Sequence, residues 1–403
     1  MSSQIISAVE GALGCPIRKY EEGRISFFAP TLKEIVSASD VVFYNPRMEF
    51  QRDVSVCILR TYQKITGSKM DLCEPLTSSG VRAIRWACEV PETRSIVAGD
   101  INPKAALLAN ANASFNNVLG KMEVFRADAN LMLDTFSLNG RRFDVVDVDP
   151  FGSPVRFIDS ALRVLKSKGA LLCLTATDMQ PLCGVHQDAC LRKYGGVSLR
   201  TEYCHEIAVR LLIGATVRVA VGHDFGVGVV FSHSSDHYIR AYLRMRRNAV
   251  DADTSVRKMG FILHCFNCGN RRVVPALAVC EGELKCGLCG SQMRVAGPLW
   301  CGELWERGFV DVAMSVAEGG ADVKNRRLMK MLSLIASEDG GPPTYYDIHS
   351  ISDSEGTSSP PTSRIIEELR SSGYFASATH FRGTCVRTDA DITTIKSLVK
   401  QST

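Results

Sequence analysis

The chain has 403 residues, enough for two or three domains that each bury a core without disulfide or metal staples. Apolar residues make up 45% and charged residues 22%, which excludes wholesale disorder and a fibrous repeat. Apolar runs such as Val227 to Phe231 fall far short of the roughly 20 residues that cross a bilayer, so no membrane partner is expected, and a net charge of +4 permits a nucleic-acid partner without demanding one.

In chain order, IISAVEGAL (5–13) and EFQRDVSVCILRTYQKI (49–65) have helical spacing, the second with Val54, Ile58, Leu59 and either Tyr62 or Ile65 on one face. FYNPRM lies between them. From about 69 to 180, short apolar runs (KMDLCEP, SIVAGD, MEVFRAD, FDVVDVDP, GALLCLTAT) alternate with helical stretches (VRAIRWACEV, PKAALLANANASFNN, PVRFIDSALRVL). Buried parallel strands read as continuous apolar runs, so the pattern predicts an α/β fold with an open, doubly wound sheet. A helix around SLRTEYCHEIAVRLLIGAT and β-rich runs VRVAVGHD and GVGVVFSH extend it to about 235. A second region begins near 236, with YIRAYLRMRRN as a strand or edge segment. Residues 302–335 look helical, and after loop-rich EDGGPP and SDSEGTSSPPTS the segment RIIEELRSSGYFASATHF suggests a small helical or winged module with a stop at Gly373.

Strand ends are where such a sheet binds its ligands. The first, DLCEPLTSSGVRAIRWA, opens a helix at Gly80 without G-x-G-x-x-G, which disfavours a dinucleotide and suits a cofactor lacking phosphates. Asp100 ends the second strand and is placed to accept from ribose hydroxyls; Asp128 ends the third and could accept from an adenine amine. Either could equally be a helix cap or loop acid. Three aligned strand ends point to S-adenosylmethionine.

FDVVDVDPFGSP ends a buried strand at Asp149-Pro150-Phe151. An exocyclic base amine is a poor nucleophile because its lone pair is delocalised, so a catalyst must accept an N–H proton as the new bond forms. A carboxylate such as Asp149 can do so, and Phe151 offers a flat face for a base taken out of its stack. The competing reading is a plain Asp-Pro turn.

FYNPRMEFQRD, GVRAIR, DVDPFGSP and CLTATDMQPLCG resemble the tRNA guanine-N2 dimethyltransferase family, whose members make N2,N2-dimethylguanosine at position 26 of tRNA. The resemblance continues through GPLWCGEL, YYDIH and GYFASATHF, although EPLTSSG has fewer small residues than the family pattern. It implies that Arg52, Arg82, Asp100, Asp128 and Ala129 contact S-adenosylmethionine, that Asp149 accepts from guanine N2, and that Phe43 and Phe151 flank the base. Arg52 and Arg82 suit the cofactor's methionine carboxylate. Adjacent Tyr44 could replace Phe43 as the stacking partner.

Cys265, Cys268, Cys286 and Cys289 form C-x2-C-x17-C-x2-C, the spacing of a four-thiolate zinc site, with Gly269 and Gly290 just beyond each pair. Four thiolates leave no open position, so the metal is expected to be structural. Cys280 falls outside the doublets, and His264 is the other possible ligand. Most of the other cysteines among the fifteen, including Cys57, Cys73, Cys173 and Cys204, read as reduced core residues, and the histidines at 186, 223, 233 and 237 have no ligand spacing.

From Arg240 to Arg272 there are eight basic side chains against only Asp251 and Asp253, a surface that tRNA phosphates could use. The expectation is a class I Rossmann-like methyltransferase domain over 1–235, joined to a smaller zinc-containing α+β domain over 236–403 that contacts tRNA. The N-terminus has no basic n-region, so an intracellular protein is expected, with no choice between nucleus and cytoplasm; a monomer is expected as well. A methyltransferase for another base amine, such as adenine N6, and an inactive zinc-ribbon RNA-binding protein are the alternatives.

Overall fold

A computed structural model describes residues 3–31, 41–276, 284–319 and 326–401. Cys280 lies outside the described residues. Five strands, Met70–Glu74, Thr93–Asp100, Met122–Arg126, Val145–Val148 and Lys168–Ala176, are joined by helical crossovers and pair in parallel. Leu72 sits opposite both Ile96 and Val145, and Val148 opposite Leu174. The chain steps outward from Met70–Glu74 through the second strand to the third. It then returns to the other side of the first, so the order reverses beside Met70–Glu74. The crevice at such a reversal is where ligands bind.

With strands Phe225–Ser235 and Tyr238–Arg247 the sheet becomes a large mixed one of seven strands in an α/β fold, and Tyr238–Arg247 lies inside it rather than at an edge. Its sequence explains why: Tyr238 through Leu243 are buried without a break, including Arg240, whose Nη1 donates to Thr175 Oγ1 at 2.5 Å.

The described residues group into two compact units, Met1–Leu174 with Tyr242–Arg246 and Asp311–Met329, and Thr175–Ala241 with Arg247–Val310 and Lys330–Thr403. In the first, the strand residues Leu72, Cys73, Val97, Val146 and Leu171 are wholly buried, as strands covered on both faces must be. Helix Glu49–Thr66 buries Val54, Ile58, Leu59 and Tyr62, while Ile65 is 47% exposed, so Tyr62 takes the inward position. Gly67, at φ 64°, stops this helix. Arg85 is buried among Glu22, Asp53 and Glu89 at 2.7–3.0 Å, an ion network whose members would each be costly to leave alone.

The second unit holds helix Cys204–Val221, which runs through the VRVAV segment expected to be a strand. Every residue from Glu206 to Val217 is buried, so burial on all sides overrides the weak strand preference of valine. A three-stranded antiparallel sheet, in the order Arg271–Pro275, Met259–His264, Arg294–Trp300, carries the cysteine doublets. The C-terminal module combines helices with a small sheet. Helices Ile348–Glu355, Thr362–Ser371 and Ile392–Gln401 pack Ile348, Ile365, Leu369, Ile395 and Val399 together with Val386 of a second small antiparallel sheet. Arg387 ties this module into its unit through Glu206 and Glu338, each at 2.8 Å.

Candidate active site

Each of the first four parallel strands delivers an acidic side chain at or just beyond its carboxyl end: Glu74, Asp100, Asp128 and Asp149. The loop after the first strand shapes the floor. Thr77 N–H donates to Gly99 O at 2.7 Å, Ser78 adopts φ 51°, and Gly80 adopts φ 80° so close to the next helix that a Cβ would stand 3.1 Å from Ala109 Cα. Asp100 fastens this loop. One carboxylate oxygen accepts from Ser78 N–H at 2.9 Å and the other from Asn102 N–H at 2.8 Å, while burial raises its pKa. Asp128 is exposed and caps helix Ala129–Leu138, its Oδ1 accepting from the Asn130 and Leu131 amides. Ala129 is buried beneath it. Asp100 and Asp128 thus have the structural roles that competed with cofactor contact, each with further lone pairs in reserve.

Arg82, on the helix opened by Gly80, draws three groups together. Its Nη2 donates to Gln51 Oε1 at 2.6 Å and to Asp149 Oδ2, and its Nε lies 3.0 Å from Glu74 Oε1. Thr77 Oγ1 donates to the other Glu74 oxygen at 2.6 Å. Burial pushes Glu74 up to about 8, the pull of Arg82 and the Thr77 hydrogen bond only partly opposing it. Asp149 itself is not sealed in: its side chain keeps 17% of its surface, against 3% for Glu74. A carboxylate oriented by a guanidinium and open on one side can accept a proton from a bound amine.

Phe151 projects beside it, 53% exposed, with the Phe43 ring edge-on at a centroid distance of 4.6 Å. Ser78 Oγ donates to Phe43 O at 2.6 Å, which fixes that residue to the same loop. Tyr44 faces the other way. It is buried against Tyr20 and Phe27, and its hydroxyl donates to Glu22, so Phe43 is the aromatic brought to the Asp149 turn. Gly152, at φ 77°, borders open space: a Cβ there would meet nothing within 4 Å. Arg52 is held by Glu22, which takes its Nε and Nη2 at 2.6 and 2.7 Å, and by Asn45 O at 3.2 Å. Its guanidinium holds the FYNP turn.

The four cysteines expected to bind metal converge. Cys265 and Cys289 sulfurs are 3.5 Å apart, as are those of Cys268 and Cys286, and all four lie within 4.8 Å of one another. Each doublet is a tight turn closed by a glycine amide, Gly269 N–H to Cys265 O at 2.9 Å and Gly290 N–H to Cys286 O at 2.8 Å, with both glycines at positive φ. Hydrogen bonds from Asn267 and Ser291 pull Cys289 down to about 5, toward the thiolate a metal needs. His264 is not part of the cluster; its Nδ1 meets Tyr203 OH at 2.9 Å, and burial lowers its pKa to about 4.

Residues 23–400 match the family model described as N2,N2-dimethylguanosine tRNA methyltransferase. The chain belongs to that family. It is 40% identical to the tRNA (guanine(26)-N(2))-dimethyltransferase of Methanothermobacter thermautotrophicus over 94% of this chain and 97% of that protein. Its identity to the Methanosphaera stadtmanae protein of the same name is 38%, over 94% and 95%. Among solved structures, the complex of Trm1 from Pyrococcus horikoshii with S-adenosyl-L-methionine superposes with a TM-score of 0.81 at 30% identity, covering 95% of this chain and 99% of that one.

The structure adds partners that the sequence does not mark. Gln51 and Glu74 hold Arg82, and Glu22 holds Arg52. Glu74 was legible in principle as the acid that closes LCEP at a strand end; nothing local marks Gln51 or Glu22. Cys204, expected to be a core residue, instead sits half-buried in a helix first turn. Of the eight basic residues, Arg246, Arg247, Arg257, Lys258 and Arg272 are exposed. Arg240 is buried, and Arg271 is taken by Glu202 at 2.7 Å and Tyr345 O at 2.6 Å.

Proposed function

We propose that this protein is an S-adenosylmethionine-dependent tRNA (guanine(26)-N(2))-dimethyltransferase. Asp149 is the observation that carries the proposal: a part-exposed carboxylate at the tip of the fourth strand, oriented by a buried arginine and flanked by an exposed phenylalanine, in a chain of this family. When bound, S-adenosylmethionine supplies an activated methyl group. This chain's residues do the rest. Phe151 and Phe43 hold the extruded guanine; because their rings touch each other, a base held by both must part them. Asp149 accepts the N2 proton as the N–C bond forms, and Arg82 keeps its carboxylate aimed. Alignment of the reacting atoms contributes most of the acceleration, because the methyl donor is already activated. A second round on the same nitrogen gives the dimethyl product.

The strand-end acids and the tight Gly80 loop fit a cofactor without phosphates. Asp100 serves the ribose hydroxyls, and Asp128 with Ala129 borders the adenine. Arg52 and Arg82 serve the methionine carboxylate, which must there compete with Glu22 and with Glu74 and Asp149. The four-cysteine cluster fits zinc, held by Cys265, Cys268, Cys286 and Cys289 as a structural ion. Residues 1–235 carry methyl transfer, while 236–403 carry the metal and meet tRNA through exposed residues such as Arg247, Arg257, Lys258 and Arg272. The protein acts as a monomer inside the cell.

Incubation of the pure protein with S-adenosylmethionine and unmodified tRNA, followed by nucleoside mass spectrometry, tests the proposal. Dimethylguanosine should appear and should vanish when guanosine 26 is replaced. Persistence on the replaced tRNA, or methylation of adenine instead, overturns it.

A further inference from the structure

One cluster of metal-ligating groups takes no part in the chemistry above. Cys183 Sγ, Cys204 Sγ and a ring nitrogen of His205 lie within 4.8 Å of one another, all in the second compact unit. Two separate devices bring them together. Cys183 follows the short helix Met179–Leu182, its N–H donating to Met179 O at 2.8 Å. The next residue, Gly184 at φ 88°, presses so close to the Leu199–Arg200 backbone that a Cβ would stand 2.3 Å from Arg200 N. That close approach is available only to glycine, and it fixes where the Cys183 turn sits. Cys204 and His205 open the 18-residue helix Cys204–Val221, whose preceding residue Tyr203 supplies no side-chain cap. The Cys204 N–H donates to Thr201 O at 3.2 Å, which ties the start of the helix to the turn before it.

We propose that Cys183, Cys204 and His205 form a second, three-ligand site for a soft divalent cation of the zinc class. Tetrahedral zinc with sulfur at 2.3 Å sets ligand atoms about 3.8 Å apart, so a contraction of about 1 Å at most closes the site. Two thiolates neutralise the ion, so Arg382, the cation facing Cys204 and His205, is no obstacle; it is also paired with Asp347 at 3.2 Å. The fourth position is left for water. The ion would pin the Met179–Gly184 turn to the start of the buried helix.

The full-length protein, prepared with zinc and a thiol-free reductant, is compared with Cys204→Ser and His205→Ala by elemental mass spectrometry. Each variant should carry one zinc per chain fewer than the wild type, whatever the load of the four-cysteine cluster. Equal zinc content in wild type and variants overturns the proposal. Should the variants fail to fold, alkylation of the wild-type protein decides: zinc should slow labelling of Cys183 and Cys204 at least about tenfold relative to chelated protein. Equal labelling rates, or recovery of Cys183 and Cys204 as a disulfide whatever the zinc supply, overturn it.

Discussion

Replacing Arg82 by lysine keeps the positive charge and removes the fork. In the structure Nε reaches Glu74 at 3.0 Å while Nη2 reaches both Gln51 and Asp149. A single ammonium on a different stem cannot meet all three. Asp149 would lose one charge-assisted hydrogen bond, a contribution of about 1.5–3 kcal/mol. At about 1.4 kcal/mol per decade, single-turnover methyl transfer should slow roughly 10- to 150-fold. Arg82→Met should do more, because removing one partner of a buried ion pair costs about 3–5 kcal/mol of stability. The assay is rapid-quench transfer of labelled methyl to unmodified tRNA, with thermal melts and tRNA affinity measured in parallel. Arg82→Lys should keep its tRNA affinity and lose rate. A wild-type rate in a folded Arg82→Lys protein would refute the idea that this arginine positions Asp149.

Phe151→Ala should fold normally, since the ring is 53% exposed, and should weaken productive binding of the flipped base by about 1–3 kcal/mol, seen as a raised KM for tRNA. Tyr44→Ala should behave oppositely: its buried ring shares a cluster with Tyr20 and Phe27, so stability should fall by about 3–5 kcal/mol in denaturant titration. Cys268→Ser should release the metal of the four-cysteine cluster and lower the melting temperature, with strand-end cofactor affinity retained in calorimetry. Glu206 is raised by burial but pulled down overall to about 2 by Arg387 and Arg210, from an ordinary 4.5. Its folded value lies below its unfolded one, so its contribution is complete above about pH 4.5 and is lost as pH falls toward 2. The wild type should lose on the order of 3 kcal/mol across that window, and Glu206→Gln should show a flatter acid limb in equilibrium unfolding.

Much of the catalytic half could be read from the chain because buried parallel strands announce themselves as apolar runs and their ends as acids or glycines. Asp100, Asp128 and Asp149 all stand at such ends. What those acids touch could not be read. Asp100 spends both oxygens on backbone amides, and Asp128 caps a helix, contacts that depend on loop geometry rather than residue type. The choice between Phe43 and Tyr44 turned on which neighbour met Phe151, and long-range packing against Tyr20 and Phe27 decided it. VRVAV misled because a helix buried on every side loses the amphipathic period that distinguishes it from a strand. Cysteine spacing located one cluster at once, since its ligands come as doublets. Cys183 and Cys204, twenty-one residues apart, carry no such signature.

Asp149→Asn tests the central step most directly. Asparagine keeps the shape and can still face Arg82 through its carbonyl, but it cannot take a proton from guanine N2. Under single-turnover conditions with saturating tRNA and S-adenosylmethionine, formation of methylguanosine should fall by at least about 10²-fold while the affinities for tRNA and cofactor stay within a few-fold of the wild type. Transfer at the wild-type rate by Asp149→Asn would mean that the N2 proton leaves by another route.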